Sequence, residues 1–211
     1  MPTPGVLMRL SDAPSGTLRA PLPGVDAAYT LKADDGQNPP LNTIYFLGDI
    51  TPLLTSTVFY DADVAAHRDV AAPAPSWVLC SFINARDTPG DGEAQTSPHV
   101  LPMPPARGSV LVINGSTPRP EKEGDYHAWY DQEHGAKLTL VPGWRAARRY
   151  ALARVYGEVE TASFYGFNFY EAENGLGGPE WHAGVTEWTL RIRSNAAKPN
   201  LRRVWKVVET A

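Results

Sequence analysis

The sequence lacks the features that define several common classes of protein. Among its 211 residues there is a single cysteine, Cys80, so no disulfide can form within the chain and no CxxC pair is present to hold a structural metal. No segment approaches the roughly 18 apolar residues of a membrane-spanning helix, and the apolar run near the N-terminus is too short for a signal peptide. We therefore expect a soluble, cytoplasmic protein with no membrane partner.

Concentrated charge and the familiar cofactor motifs are also missing. The 23 acidic and 19 basic side chains give a formal net charge of −4 and do not cluster by sign, so we expect no nucleic-acid partner. GxGxxG, GxxxxGK[ST] and GxSxG do not occur, which removes support for dinucleotides, nucleotides or a hydrolase nucleophile. The five histidines include no HxH or HExxH, and His127 and His134 would lie about 10 Å apart along a straight helix. We predict no metal and no cofactor.

The overall composition is that of a globular protein with short elements. Hydrophobic residues make up 43% and charged residues 20% of the chain, which is ordinary for a folded domain. The 20 prolines and 18 glycines predict frequent turns. The length allows one large domain or two small ones.

One stretch, from 125 to 150, carries most of the chemistry. It reads DYHAWYDQEHGAKLTLVPGWRAARRY and predicts a helix, a Pro-Gly turn and a strand. At 3.6 residues per turn, one broad stripe of the helix holds imidazoles, phenols and a leucine: Tyr126, His127, Tyr130, His134 and Leu138. Because buried polar groups need partners, this face suits a wet or ligand-filled pocket better than a dry core.

The two halves of the chain show the same order of elements. The pattern Pro-Gly-x-x-Ala-Ala begins at Pro23 and again at Pro142. The predicted first strands span 5–10 and 108–114. After the first Pro-Gly pair we predict a strand over 42–50, a helix over 51–70 with Thr51 as N-cap, and a strand over 76–84; after the second, a strand over 163–171, a helix over 179–194 and a strand over 201–209. Such repetition predicts a pseudo-symmetric fold.

The two copies are not equally complete. In the first half, only residues 11–21 lie between the first strand and the Pro-Gly turn. In the second half, the longer segment 116–141 lies between them. We therefore predict a first repeat over 1–84 that lacks one helix, a proline-rich linker over 85–107, and a complete second repeat over 108–211.

Three blocks of the second repeat resemble the WYDxEH…PG…RY signature of EthD-like proteins, which belong to the dimeric α+β-barrel superfamily. They run from Trp129 to Gly135, from Val141 to Gly143 and from Arg148 to Tyr150. The resemblance covers roughly residues 108 to 208 and implies a ferredoxin-like βαββαβ unit whose sheet forms a barrel with a second such sheet. Together with the repeat, it predicts an α+β fold: two tandem ferredoxin-like repeats closed into a pseudo-dimeric α+β barrel.

The resemblance also implies a function. Relatives include cyclases, isomerases and decarboxylases, so we expect a cofactor-independent enzyme that transfers a proton in a hydrophobic aromatic or polyketide-like small molecule. His134 is the predicted general acid or base, because imidazole titrates near neutral pH; a cap of backbone carbonyls before Gly135 is the competing interpretation. We expect its ring to point into an enclosed apolar chamber made by the barrel.

The remaining site residues surround that histidine. Asp131 would orient His134 or form an ion pair with Arg148 or Arg149, and Tyr130 would hold a substrate oxygen or stabilise an enolate together with Asn168 or Tyr170. In the strand over 164–170, alternation puts these last two on one face with Gly166. The predicted substrate-binding residues are Trp129, His127, Trp144, Asn168 and Tyr170, with core packing as the alternative for the tryptophans and a surface position as the alternative for His127.

Other functions fit the same fold. A non-catalytic small-molecule binding protein would need no chemistry at His134, and the wider superfamily includes cofactor-free monooxygenases and haem proteins. In each case we expect a monomer or homodimer with a hydrophobic small molecule as partner.

Overall fold

A computed structural model describes residues 1–13, 22–68, 72–88 and 97–210. The first half contains strands β1 (Gly5–Ser11), β2 (Val25–Ala33) and β3 (Leu41–Leu47), helices α1 (Thr51–Thr55) and α2 (Val58–Ala66), and strand β4 (Ser76–Asp87). The second half contains β5 (Val110–Ser116), a 3₁₀ turn (Pro120–Lys122), α3 (Glu123–Trp129), a π-helical turn (Tyr130–His134), α4 (Gly135–Leu138), β6 (Trp144–Tyr156), β7 (Phe164–Tyr170), α5 (Pro179–Ala183), α6 (Glu187–Ser194) and β8 (Leu201–Thr210).

The eight strands close into one antiparallel barrel in the order β1-β3-β2-β8-β5-β7-β6-β4. Each half contributes four neighbouring strands, and the halves join where β2 pairs with β8 and β6 pairs with β4. These junctions are equivalent, because each pairs the second strand of one repeat with the last strand of the other. The predicted pseudo-dimeric α+β barrel is therefore confirmed, and within the described residues the first repeat has no helix between β1 and β2.

Strand alternation fills the inside of the barrel with apolar side chains. The buried interior cluster takes every second residue from several strands, including Val6, Met8, Ile44, Phe46, Tyr165, Phe167 and Phe169. Two of the turns that lead into strands use a Pro-Gly pair: Gly24 before β2 has φ +68° and Gly143 before β6 has φ +75°. Glycine adopts these positive φ values without steric penalty, so the repeated Pro-Gly pair marks equivalent corners of the two halves.

Several boundaries differ from the predicted ones. The single helix predicted over 51–70 is divided into α1 and α2, with Ile50 rather than Thr51 at the N-cap, and residues 69–70 lie outside the described ranges. The hydroxyl-rich break between α1 and α2 favours turns over helix. The helix predicted over 179–194 is likewise α5 followed by α6, because the Thr186 side chain accepts from the Thr189 backbone N–H at 3.1 Å and begins a new helix.

The predicted linker starts later than expected. Strand β4 continues to Asp87, which pairs with Ala146 of β6, because hydrogen bonding to the longer β6 holds the chain extended. The part of the linker over 89–96 lies outside the described residues. The described part over 97–107 crosses one end of the barrel.

That crossing segment closes one end of the barrel. Arg148 is fully buried; its guanidinium donates to the Val100 carbonyl at 2.5 Å and pairs with Asp87 at 2.6 Å. Leu101 joins the interior cluster, and His99 pairs with Asp26 at 2.8 Å. The opposite end of the barrel opens into a cavity.

Within the described ranges, no helix combines the length and the apolar composition that crossing a bilayer requires.

Candidate functional site

The most chemically varied cavity lies between the outer face of the second-half sheet and the helices that cover it. Its volume is about 150 Å³, and it is lined mainly by Val112, Asn114, Tyr126, Trp129, Tyr130, His134, Leu138, Asn168, Tyr170, Trp181, Thr189, Ile192, Arg193 and Arg202. The expectation that His134 points into the barrel is wrong. Since inward-facing side chains such as Phe167 fill the lumen there, the helix packs on the outer face of the sheet and directs His134 into the layer between them.

A π-helical turn positions the histidine. The Gly135 backbone N–H donates to the Tyr130 carbonyl, five residues earlier. In this winding, residues five apart lie above one another, so the rings of Trp129 and His134 stack with centroids 4.1 Å apart and planes 16° from parallel. A Cβ at position 135 would meet the Tyr130 carbonyl oxygen at 2.9 Å. π turns are often found at functional sites, and here glycine makes the turn possible.

His134 is held as a neutral imidazole. Its Nδ1 is buried and has no hydrogen-bond partner among the described residues, whereas the ring is hydrogen-bonded to the Gly184 backbone. The Gly184 N–H already donates to Trp181, so the carbonyl is the acceptor, and we assign the ring N–H to Nε2 because Nδ1 has no hydrogen-bond partner among the described residues. Nδ1 therefore carries the lone pair. Burial, followed by the charge of Arg193, lowers the pKa of His134 from 6.5 to about 4, so the ring is in its basic form at neutral pH.

A short chain of hydrogen bonds supports the phenol beside this histidine. Trp144 Nε1 donates to Asn168 Oδ1 at 3.4 Å, and Asn168 Nδ2 donates to the Tyr130 hydroxyl at 3.4 Å. Burial is the main cause that raises the pKa of Tyr130, so its proton remains available for donation at neutral pH. Gly166 on β7 leaves room for this ring, since a Cβ there would lie 2.6 Å from the Tyr130 hydroxyl.

Arg149, on strand β6, contacts three residues of the helical segment that carries His134. Its guanidinium lies 4.3 Å from the Tyr130 ring centroid, pairs with Asp131 at 2.7 Å and donates to His127 Nδ1 at 2.6 Å. Burial, and next the Arg149 charge, lower the pKa of His127. Of the two interpretations of Asp131, the structure therefore supports the ion pair with Arg149. The hydrogen bond that orients His134 comes from Gly184 instead.

The predicted site residues thus fall into two groups. Trp129, Tyr130, His134, Asn168 and Tyr170 line the cavity together. The other three lie outside it: Asp131 and His127 contact Arg149, and Trp144 packs behind Asn168 in a cluster with Leu138 and Val141. Trp144 and His127 therefore do not line this cavity.

Sequence reasoning missed the contribution of α5, α6 and β8. Gly184 fixes the tautomer of His134, and Thr189 accepts from Trp129 Nε1 at 3.2 Å while donating to the Gly184 carbonyl at 3.1 Å. No sequence signal marks the Gly184 carbonyl. Arg202 could have been found, because alternation along β8 places it on the same face as Val204, opposite the barrel-facing Trp205.

The opening of the cavity is cationic. Arg193 and Arg202 line the cavity, and Lys198 joins them in the shallow depression outside it. Among the described residues, no ion pair neutralises these three side chains, and no carboxylate lines either space. Such an opening attracts anions.

No group of three or more histidine, cysteine or acidic side chains suited to a metal ion occurs in the described part of the chain.

Comparisons with known proteins identify the fold. No protein-family model matches the chain, and no curated protein matches it. Several solved structures match it over almost its whole length. An anthrone oxidase-like protein superimposes with a TM-score of 0.66 at 15% identity, over 99% of this chain and 93% of that chain. A candidate monooxygenase from Fusobacterium nucleatum subsp. nucleatum gives 0.60 at 9% identity, over 99% and 94%. A candidate chlorite dismutase gives 0.58 at 12% identity, over 99% and 96%. The chain therefore has the dimeric α+β barrel fold of these neighbours.

Proposed function

We propose that this chain is a cofactor-independent enzyme, related to EthD-like proteins, that moves a proton on a small aromatic molecule with an acidic group. The observation that carries the proposal is the unpartnered Nδ1 of His134 in the wall of the cavity. A buried acceptor without a partner is unfavourable by about 1–3 kcal/mol. A substrate that supplies a proton to this nitrogen removes that penalty.

The neighbouring groups support proton transfer rather than binding alone. Removing a proton from a carbon beside a carbonyl leaves an enolate, whose oxygen needs hydrogen-bond donors. The Tyr130 hydroxyl and the Asn168 amide stand together in the cavity wall and can supply them. The imidazolium formed at His134 would then be balanced by the enolate. General base catalysis of this kind contributes about 10²- to 10⁴-fold.

The size and charge of the site support one class of substrate. A cavity of about 150 Å³ accommodates benzene, so the space beside His134 encloses one aromatic ring. The cationic opening formed by Arg193, Lys198 and Arg202 favours a carboxylate or phenolate on the part of the substrate that remains outside. A polyketide of several rings would extend through this opening. The volume of the cavity favours a single ring over haem, whose porphyrin contains four pyrrole rings in one plane.

Solvent deuterium exchange into phenylpyruvate tests the proposal directly. This probe has one ring, a carboxylate and an enolisable carbon, and exchange in D₂O, followed by NMR, reports proton transfer whatever reaction follows. We expect exchange above the buffer rate, and a loss of about 10²-fold or more for His134→Gln with its fold intact. Unchanged exchange in a folded His134→Gln protein would falsify the role of this base.

A matched pair on α6 tests the cationic opening. Arg193→Gln should weaken phenylpyruvate binding by roughly threefold to tenfold, and less at high salt. Arg191→Gln removes the same charge two residues away, from a half-exposed pair with Asp125 that does not line the cavity, and should leave binding unchanged. Equal effects of both variants would exclude a local role for Arg193.

Two other functions remain as candidates. The names of the anthrone oxidase-like and monooxygenase neighbours favour a second function, in which the deprotonated substrate reacts with dioxygen in the same site. An oxygenase of this kind should consume an anthrone together with oxygen in air, and His134→Gln should abolish that consumption. A binding protein predicts instead that phenylpyruvate binds and is released without exchange.

A further inference from the structure

A second and larger cavity lies inside the barrel, at the end opposite the segment that contains Val100 and Leu101. Its volume is about 410 Å³. The wall is mainly apolar and comes from both halves of the chain, with Met8, Val78, Ile113 and Tyr165 among its residues. The second-half sheet lies between it and the His134 cavity, although Asn200 and Arg202 line both.

Two polar side chains in its wall have no partners. Asn42 is 0% exposed, and neither its Oδ1 nor its Nδ2 has a hydrogen-bond partner in the described part of the chain. Trp205 is 1% exposed, and its Nε1 is likewise without a partner. Each buried polar group without a hydrogen-bond partner is unfavourable. Packing alone does not explain an amide at position 42, because the next two inward-facing residues of β3 are the apolar Ile44 and Phe46.

We propose that this cavity binds a second small molecule, which is largely apolar and carries one neutral group able both to donate and to accept, such as a primary amide. An amide can form a pair of hydrogen bonds with Asn42, one in each direction. Its oxygen has a second lone pair for the Trp205 N–H. Because their polar atoms are themselves shielded from the cavity space, the Asn42 and Trp205 side chains must turn toward the ligand when it binds.

The charge and the volume of this cavity narrow the class of ligand further. Arg203 beside the opening is neutralised by Asp35 at 3.0 Å, and the remaining charged side chains of the lining are Glu160 and Arg202, of opposite sign. The lining therefore gives no preference for an ion. Because a cavity of about 150 Å³ holds benzene, this one can hold a bicyclic ring system.

The test compares 2-naphthamide with naphthalene. In the wild-type protein, calorimetry should give an affinity for 2-naphthamide about 10-fold or more above that for naphthalene, and the Trp205 indole N–H resonance, assigned with Trp205→Phe, should shift on saturation. Asn42→Leu, of similar volume, should bind both equally. Should this variant not fold, Trp205→Phe should still show a reduced preference by calorimetry. His134→Gln is the control for the other cavity and should leave both affinities unchanged.

Three results would overturn the inference. The first is a Trp205 resonance that 2-naphthamide does not move, with ordered water alone satisfying the indole and Asn42. The second is a preference for the amide that survives Asn42→Leu. The third is a preference that disappears in His134→Gln, which would place the ligand in the cavity beside His134. Because the proposed proton transfer is measured separately, by exchange into phenylpyruvate, either proposal can fail without the other.

Discussion

At the residue scale, the chemistry of the site depends on which partners each polar atom has. His134 differs from His127 in this respect. His127 accepts from Arg149, so its lone pair is already used, whereas His134 has one nitrogen bonded to Gly184 and one left free. Two imidazoles on one helical segment therefore differ in whether a nitrogen is left without a partner among the described residues, and the contacts of the strands and helices around them decide this difference.

The lowered pKa of His134 should appear in the pH dependence of stability. Between about pH 4 and 6.5 the unfolded chain binds a proton at this residue that the folded protein does not. The free energy of unfolding therefore falls as the pH is lowered through this window. The full effect is about 3 kcal/mol, and it is complete once the pH has passed below about 4.

Urea unfolding of wild type and His134→Gln at pH 7.5 and at pH 4.5 measures this contribution. The wild type should lose about 2–3 kcal/mol more than the variant over this interval. Carboxylates and His127 titrate in both proteins, so the difference between them isolates His134. Parallel losses in the two proteins would show that the ring is not held neutral by burial.

At the element scale, the π-helical turn determines the shape of the site, and two glycines of the same helical segment allow it to be tested. A Cβ at position 124 would meet nothing within 4 Å, whereas one at position 135 would lie 2.9 Å from the Tyr130 carbonyl oxygen and 3.2 Å from Arg86 Nε. Gly124→Ala should be neutral or stabilise by about 0.5–1 kcal/mol, because alanine is the better helix former.

Gly135→Ala should have the opposite sign. The added methyl forces the turn to shift, which we expect to destabilise the protein by about 1–3 kcal/mol and to separate the stacked rings of Trp129 and His134. Thermal unfolding gives the first quantity, and the exchange rate with phenylpyruvate reports the second. If alanine is tolerated as well at 135 as at 124, the turn does not depend on glycine.

This element also shows what the sequence could and could not predict. The 3.6-residue period correctly placed Tyr126, Tyr130 and His134 on one face, since a helix that covers a sheet must bury one stripe. It could not predict the π turn, which depends on the room that Gly135 leaves beside Arg86, a residue 49 positions earlier in the chain. For the same reason the contact between His134 and Gly184 had no local signal.

At the scale of the whole molecule, the internal repeat and the resemblance to EthD-like proteins together predicted the barrel. The two halves have equivalent strand orders, so the same pairing of a second strand with a last strand joins them on both sides. The repeat did not predict which side of the sheet would hold the His134 site. That depended on how completely side chains such as Phe46 and Phe169, whose ring centroids lie 6.4 Å apart, fill the interior near the closed end. The barrel is therefore packed at one end and hollow at the other.

The closed end should depend on Arg148. Its guanidinium is fully buried, donates to the Val100 carbonyl and pairs with Asp87. Arg148→Met removes both contacts, and with them the bond that fixes the crossing segment over 97–107 to the barrel. We expect a loss of about 2–4 kcal/mol in the free energy of unfolding, or roughly 5–15 °C in Tm, and faster hydrogen exchange at the backbone of Leu101. Lys206→Met is the matched control, because it breaks a pair with Asp34 in which both side chains are about half exposed, and it should cost less than about 1 kcal/mol. Equal losses in the two variants would mean that the crossing segment is held by its apolar contacts, with Arg148 contributing no more than a surface charge.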